Sequence, residues 1–590
     1  MKMNKSIYVF AALAAVAVPS SALAQNLDPT VEVNRTYEGK MIEVHKPSIE
    51  MAVPDSVLRF DLDFDYSVFE NPYKGAYEFR PYVTDLQPVK GPVVNKSLYL
   101  KAGMGLRPVT LSVMPVFDLA WTPVMSDAFK MNVYAGHDSY VGRYMNMPVF
   151  DPSAGLVPGV LKFHGETGYG NYDLATRVGA DGRYDWDEGV LRMDVAYLSI
   201  AEKYKERADM FNSLEINAAT ASKDWGQLFS YEVKASYSFG KDRLEYEDSG
   251  RSWLTEHDLR LSGVLKATLT ETHKMSFDLG VDNVLYYGEY NPNVSRLTFA
   301  PRYHIDLDRL DVDAGFRIEA ILAGKDQKMF ASKGQYIYPD VYLAYHLIPD
   351  AMKLYARVGG GTELNTFGSL IRDNHHLDLF SGFGSVLMDN TVERVSATAG
   401  LKGRAGVSLA YEIRGGYSNY ANALLDRVLV GSMPGTDELR FLPAIGYASY
   451  SKAFVEADFV FKKGGFESDG HIAYAYSWFT EDAVGSGVFL PAALNGDFEV
   501  GYNWGKRVYA GLDCVFSTAR SRASLLFPDG TYGSVSVPGY ADLGVNFEYL
   551  ASRKFSFWFR GGNLLNMAVQ RNLLYAEKGP YLAVGICLNL

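Results

Sequence analysis

Three groups of residues in this chain have types and spacings that could do chemistry. His375-His376, with Asp373 and Asp378, place imidazole and carboxylate donors within one short stretch of 362–390, a set that can ligate a metal. The stretch is polar and lies between alternating apolar segments, so the simpler expectation is a solvated loop. In "LRFDLDFDY" (58–66), Leu58, Phe60, Leu62 and Phe64 share one strand face, while Arg59, Asp61, Asp63 and Asp65 share the other. Three carboxylates on one face suit calcium, and a solvated acidic face explains them more simply. Gly359-Gly360-Gly361 ends an alternating segment without a phosphate-binding helix behind it, and reads as a turn. No G-x-S-x-G, H-E-x-x-H or paired Cys/His spacing occurs, so no enzyme, metal or cofactor is expected.

Composition narrows the elements that must carry these residues. Only Cys514 and Cys587 are present, which excludes a disulfide-stapled scaffold. They fall in opposite phases of their segments, so no bridge between them is expected. The net charge of −12 offers no basic face to nucleic acid. There are 41 tyrosines and 33 phenylalanines, and 21% of residues are charged. Mean hydropathy is only −0.09. Beyond the first twenty-odd residues no apolar run reaches the roughly 18 residues of a spanning helix. The start itself reads as an export signal over 1–24: Lys2 and Lys5, an apolar run from Ile7 to Val18, then Ala22-Leu23-Ala24. Gln25 would begin the mature chain, and no cysteine nearby suggests a lipid anchor.

From about 96 to 590 the chain becomes a succession of two-residue alternations, the mark of strands with one apolar and one polar face. Leu259, Leu261, Leu265 and Ala267 oppose Asp258, Arg260, Ser262, Lys266 and Thr268. Met275, Phe277, Leu279 and Val281 oppose Lys274, Ser276, Asp278 and Asp282. Ile305 opposes Asp306, Phe316 opposes Arg317, and "YLAVGICLNL" (581–590) repeats the pattern through Ile586. A soluble sheet that long would break into domains with linkers. The expectation is an all-β transmembrane antiparallel barrel. Leu259, Phe277, Ile305, Phe316 and Ile586 should face lipid, and Arg260, Asp278, Asp306 and Arg317 the lumen.

Connections supply a count. Tight ones near 123–127, 181–187, 222–225, 270–272, 308–310, 348–351 and 402–404 alternate with longer ones at 139–170, 240–252, 323–335, 362–390 and 419–439, the rhythm of short inner turns and longer outer loops. The stretch 440–461 keeps Ile445, Tyr447, Ala453, Val455, Ala457, Phe459 and Phe461 in one phase, so it reads as one long strand projecting past the membrane, without a reversal at Ser451-Lys452. That gives about 22 strands, the even number a single-chain barrel requires. Trp121, Trp225, Trp253, Trp478 and Trp504 fall near segment ends, as in an aromatic girdle. The last strand should pair with the first, near 96–106, because a closed barrel leaves no edge.

"RGGNLLNMAVQRNLLYAEKGPYLAVGICLNL" (560–590) resembles the final hairpin of TonB-dependent outer-membrane receptors, at Asn563, Leu564, Leu565, Asn566, Gly579, Tyr581 and Gly585. The whole is most similar to the tyrosine-rich versions of Bacteroidetes; Leu590 departs from their usual aromatic last residue. The resemblance implies a cell outer-membrane location in a Gram-negative bacterium, nutrient uptake, and lipid, the outer-membrane insertion machinery and TonB as partners. Members also carry a plug domain. Here 25–95 is about half that size and punctuated by prolines, a truncated plug or docking arm that is periplasmic or lumenal. Within it "LDPTVEVNR" resembles a TonB box, with Thr30, Val31, Glu32 and Val33 as the β-augmenting run. The alternative is a non-transporting barrel subunit, the scaffold of a larger assembly. Loops, the N-terminal segment or a partner protein should fill the lumen.

Overall fold

In a membrane every backbone donor and acceptor must find a partner within the protein, and alternating strands achieve this only by closing on themselves. The computed structural model describes residues 97–590, except 124–125, 127, 146, 150–161, 205–206, 224–227, 247–249, 289–292, 324–331, 350, 378–387, 433–438, 527–529, 531 and 576–578. Its main sheet has 22 antiparallel strands, each paired with the next strand of the wall, and two separate hairpins, Met147–Val149 with Lys162–Gly165 and Arg520–Leu526 with Tyr532–Val537, stand outside it. The first strand, Leu98–Arg107, pairs on its far side with the last, Tyr581–Asn589, matching Leu100 to Leu588 and Gly103 to Gly585. The barrel is closed. No helix among the described residues is long and apolar enough to cross a membrane.

Closure is helped by small residues at the seam. The indole of Trp558 lies across Gly103 and Gly585; a Cβ on either would stand 2.1 or 2.5 Å from the ring. Lys101 Nζ sits 5.0 Å above the ring centre. Any larger residue at these two glycines would push the ring off its neighbours. Three adjacent strands are thus locked by one side chain.

Leu439–Lys463 is one uninterrupted strand, with Ser451 opposite Trp478 and Lys452 opposite Ser477. Its partner Leu409–Ser432 slips register between Tyr420 and Ala423, where Asn422 has φ 58°. Below the slip Val455 is 56% exposed, whereas Ile445, in the same phase, is 3% exposed within the cluster around Phe367. The distal hairpin therefore packs onto the contents of the barrel mouth and does not project freely.

The connections at the end where strand Leu98–Arg107 begins and Tyr581–Asn589 finishes are all short, whereas the other end carries the long ones beside tight turns such as that from Arg107 to Ser112. At the first of these ends, between Lys463 and Phe466, Gly464 turns the chain at φ 65°. The stretches 240–252 and 419–439 are not long loops. Phe229–Tyr246 pairs with Gly250–Thr268, and Leu409–Ser432 with Leu439–Lys463, almost to their tips. Both faces of such overhanging strands are polar or mixed, which mimics a loop. Gly359 to Gly361 also forms no turn; it is a register shift inside Met352–Glu363. Trp121 and Trp504 end their strands, and Trp253 and Trp478 lie near theirs at the other end; Trp225 is outside the described residues.

Candidate functional site

The long connection after Met352–Glu363 turns back into the barrel. Thr366 opens a short helix, Phe367–Asp373: its side chain accepts from Ser369 N–H at 3.2 Å, and the Ser369 hydroxyl accepts from Thr366 N–H at 3.2 Å. Phe367, Leu370 and Ile371 form an apolar stripe at helical spacing. They are buried against Ile200, Phe211, Leu254, Val284 and Ile321, drawn from strands spread along the wall. Only an element on the concave side can touch them together.

Polar contacts fix the helix further. Gly368 N–H donates to both Glu256 carboxylate oxygens, at 3.2 and 3.1 Å, and Phe367 N–H to the Tyr286 hydroxyl at 3.3 Å. A Cβ at Gly368 would stand 2.8 Å from Glu256, so glycine permits this approach. Arg372 pairs with Glu215 at 2.7 Å. His375 Nδ1 meets Asp173 at 2.9 Å, and His376 Nδ1 meets Glu202 at 3.0 Å. His376 also stacks on Tyr575 and has Tyr144 at its edge, joining three long connections. At the return, Asn365 donates to Asp389 O at 2.8 Å, and Asp389 N–H donates to the Tyr447 hydroxyl at 2.9 Å. The inserted segment is held at both ends.

This corrects the expectation for 362–390. The stretch is no solvated loop among its described residues, and His375 and His376 engage different carboxylates. No group of three His, Cys, Asp or Glu placed to hold a metal exists among the described residues. Asp378, Asp61, Asp63, Asp65 and the run Thr30, Val31, Glu32 and Val33 lie outside them.

Glu256 marks the face turned toward the helix, and Asp258 and Arg260 share its phase. Arg260 pairs with Asp258 at 2.7 Å, Asp278 with Arg302 at 2.8 Å, and Asp306 with Lys274 at 3.6 Å. Arg302 also reaches Asp340 at 2.6 Å, while Arg317 lies against Gly361. The same wall carries His304 with Asp313, His346 with Asp311, and Arg414 with Glu456. In the opposite phase Leu259, Phe316 and Ile586 are exposed, and Phe277 and Ile305 are half-exposed. A crevice of about 630 Å³ on that outer face, at Leu261, Gly263, Leu279 and Val281, is nearly all apolar.

A second cavity, of about 550 Å³, opens between the inserted helix and the far wall. Leu370, Asp373 and Leu377 form one side, Asp426 and Ile445 of the distal hairpin another, with Phe489, Asn495, Asp497, Arg520 and Tyr540 around them. Asp373 is open to the cavity, yet desolvation by the surrounding protein pushes its carboxyl up to about 6, against the pull of Arg372. The acids that anchor the helix, Asp173, Glu202, Glu215 and Glu256, escape sequence reasoning. Their one signal is a position in the polar phase of their strands.

No family profile matches the chain, and no curated protein matches it in sequence. Solved structures with a similar fold include the ferric enterobactin receptor PfeA of Pseudomonas aeruginosa, at 10% identity and TM-score 0.57 over 84% of this chain and 81% of that one. The siderophore receptor PirA of Acinetobacter baumannii aligns at 10% identity and TM-score 0.58, over 84% and 80%. The FrpB iron transporter of Neisseria meningitidis aligns at 9% identity and TM-score 0.59, over 84% and 81%. The chain shares their barrel fold.

Proposed function

We propose that this chain is an outer-membrane barrel that takes part in nutrient uptake, in the manner of TonB-dependent receptors. The supporting observation is the closed 22-stranded wall, apolar outside and ion-paired inside, with short turns at one end and inward-folded long connections at the other. In this reading Leu259, Phe277, Ile305, Phe316 and Ile586 meet lipid, and Arg260, Asp278, Asp306 and Arg317 line the passage. Residues 1–24 direct export, 25–95 form a coupling or docking arm, and 96–590 form the barrel. The same fold in receptors for iron and siderophores supports the general role; the nutrient is left open. Membrane lipid, the insertion machinery and TonB are the partners this implies.

The inserted segment favours a second reading. A helix anchored by Glu215, Glu256 and the His376 stack could serve a permanently shut barrel, a non-transporting subunit of a larger assembly. One experiment separates the two. Val31→Pro with Val33→Pro removes backbone donors from any added strand. If 25–95 couples to TonB, the double variant loses capture by the TonB periplasmic domain and the cells lose uptake. If the arm only docks or fills, deleting 27–35 leaves uptake unchanged, and deleting 58–92 opens a conducting pore or frees a co-purifying protein. A closed barrel that retains no partner in either assay defeats both readings.

A further inference from the structure

We infer that the cavity beside the inserted helix is a binding site for a small organic cation with an apolar body, of the aryl-alkylammonium kind. Its volume, about 550 Å³, lies within the range of small-molecule sites. Leu370, Leu377, Ile445 and Phe489 give it apolar surface, and Asn495, Ser517 and Asn572 give neutral hydrogen-bonding groups.

The charges around it do not balance. Among the described residues that line the cavity, Asp373, Asp426 and Asp497 stand against a single guanidinium, that of Arg520. Arg520 is committed to Asp426 and donates to Arg571 O at 3.2 Å. The basic groups just outside are committed as well: Arg372 to Glu215, His375 to Asp173, and His471 to Asp458 at 2.6 Å. Among the described residues, Asp373 on the helix and Asp497, which lies opposite His471 but leaves that imidazole's hydrogen bond to Asp458, form no ion pair of their own and are left to attract a cation. An anion would meet repulsion, and a neutral solute would leave both carboxylates without a partner. The raised carboxyl of Asp373 agrees with a site that gains by receiving positive charge.

This inference deepens the uptake reading by naming a solute class, but binding can be tested without transport. The full chain in detergent micelles is titrated calorimetrically, near pH 7.5, with three probes of one shape: 2-phenylethylammonium, 2-phenylethanol and phenylacetate. The expected order puts the cation about tenfold or more tighter than the alcohol, with phenylacetate weakest. Asp497→Asn and Asp373→Asn should each remove the cation's advantage while leaving the alcohol's binding unchanged. Heat-modifiable gel mobility confirms that each variant is folded, and Asp497→Glu should restore the preference. Equal binding of the three probes, no binding of the cation, or an advantage that survives both Asn variants overturns the inference. Micelle binding by a barrel that never conducts or takes up solute would leave this site standing and remove the uptake reading alone.

Discussion

His376 and Tyr575 stack with ring centroids 4.2 Å apart and 12° between their planes. They belong to connections separated by some two hundred residues, and the pair bolts one to the other across the barrel mouth. Glu202, 1% exposed at its side chain, receives the histidine from the wall. His376→Ala should therefore loosen the inserted segment without unfolding the barrel, since it removes the stack and leaves a buried carboxylate without this partner, at about 1–3 kcal/mol. Hydrogen exchange of 364–377 in micelles should accelerate correspondingly, by roughly 5- to 150-fold. Unchanged exchange would mean that the stack does not hold the segment.

Replacing 367–377 with a flexible Gly/Ser linker should raise the single-channel conductance of the reconstituted protein, because a packed occupant of the mouth is gone. If conductance stays at the parent value, something other than this segment closes the barrel.

The two faces of the wall should differ in their tolerance of charge. Leu259→Arg or Phe316→Arg, near mid-membrane, should cost ~2–4 kcal/mol in lipid-vesicle unfolding. Exchanging Asp278 for Asn should cost much less, since it sets no new charge against lipid. Equal costs would show that the sheet does not sit in a bilayer.

Asp373 gives the inserted helix a dependence on pH with a definite sign. Its folded carboxyl titrates near 6, above its ordinary value of 3.8, so the docked helix holds the proton more tightly than an undocked chain. This contribution is complete below about pH 4 and is lost as pH rises through about 6. Hydrogen exchange of 367–377 should therefore match in the parent and in Asp373→Asn at the acid end, and become faster in the parent as pH rises through about 6, because the neutral amide has no proton to lose. A parent and variant with parallel pH profiles would refute it.

Much of the wall could be read from the sequence because a barrel strand has one dominant regularity. Leu259 against Arg260, and Phe316 against Arg317, announce period two without help from distant residues, and the unbroken phase of 440–461 settled a strand that its length would have split. The contents of the lumen were far less legible. Phe367–Asp373 is two turns long, too short for its apolar stripe to stand out among Asn365, Arg372, Asn374 and His375. Its burial depends on Glu215 and Glu256, more than a hundred residues earlier. The overhang of Leu409–Ser432 was hidden for another reason: past the bulge near Asn422, both faces of the hairpin meet protein or water, and the two-residue contrast that marks a strand in lipid fades.

Pairing of Leu98–Arg107 with Tyr581–Asn589 also fixes an order of events. Every other neighbouring pair in the wall is joined by a short or moderate length of chain and can zip as soon as its second member is made. The first strand must wait for a partner nearly five hundred residues away, the slowest kind of contact to form. A chain halted after Phe555–Gly562 would hold twenty-one of its strands and still present two raw edges of unpaired N–H and C=O groups in a medium without water to satisfy them. If the chain enters a bilayer as proposed, both edges have to be guarded until the last nine-residue strand arrives, and the indole of Trp558, resting on one glycine from each side of the gap, is placed to register that the gap has shut.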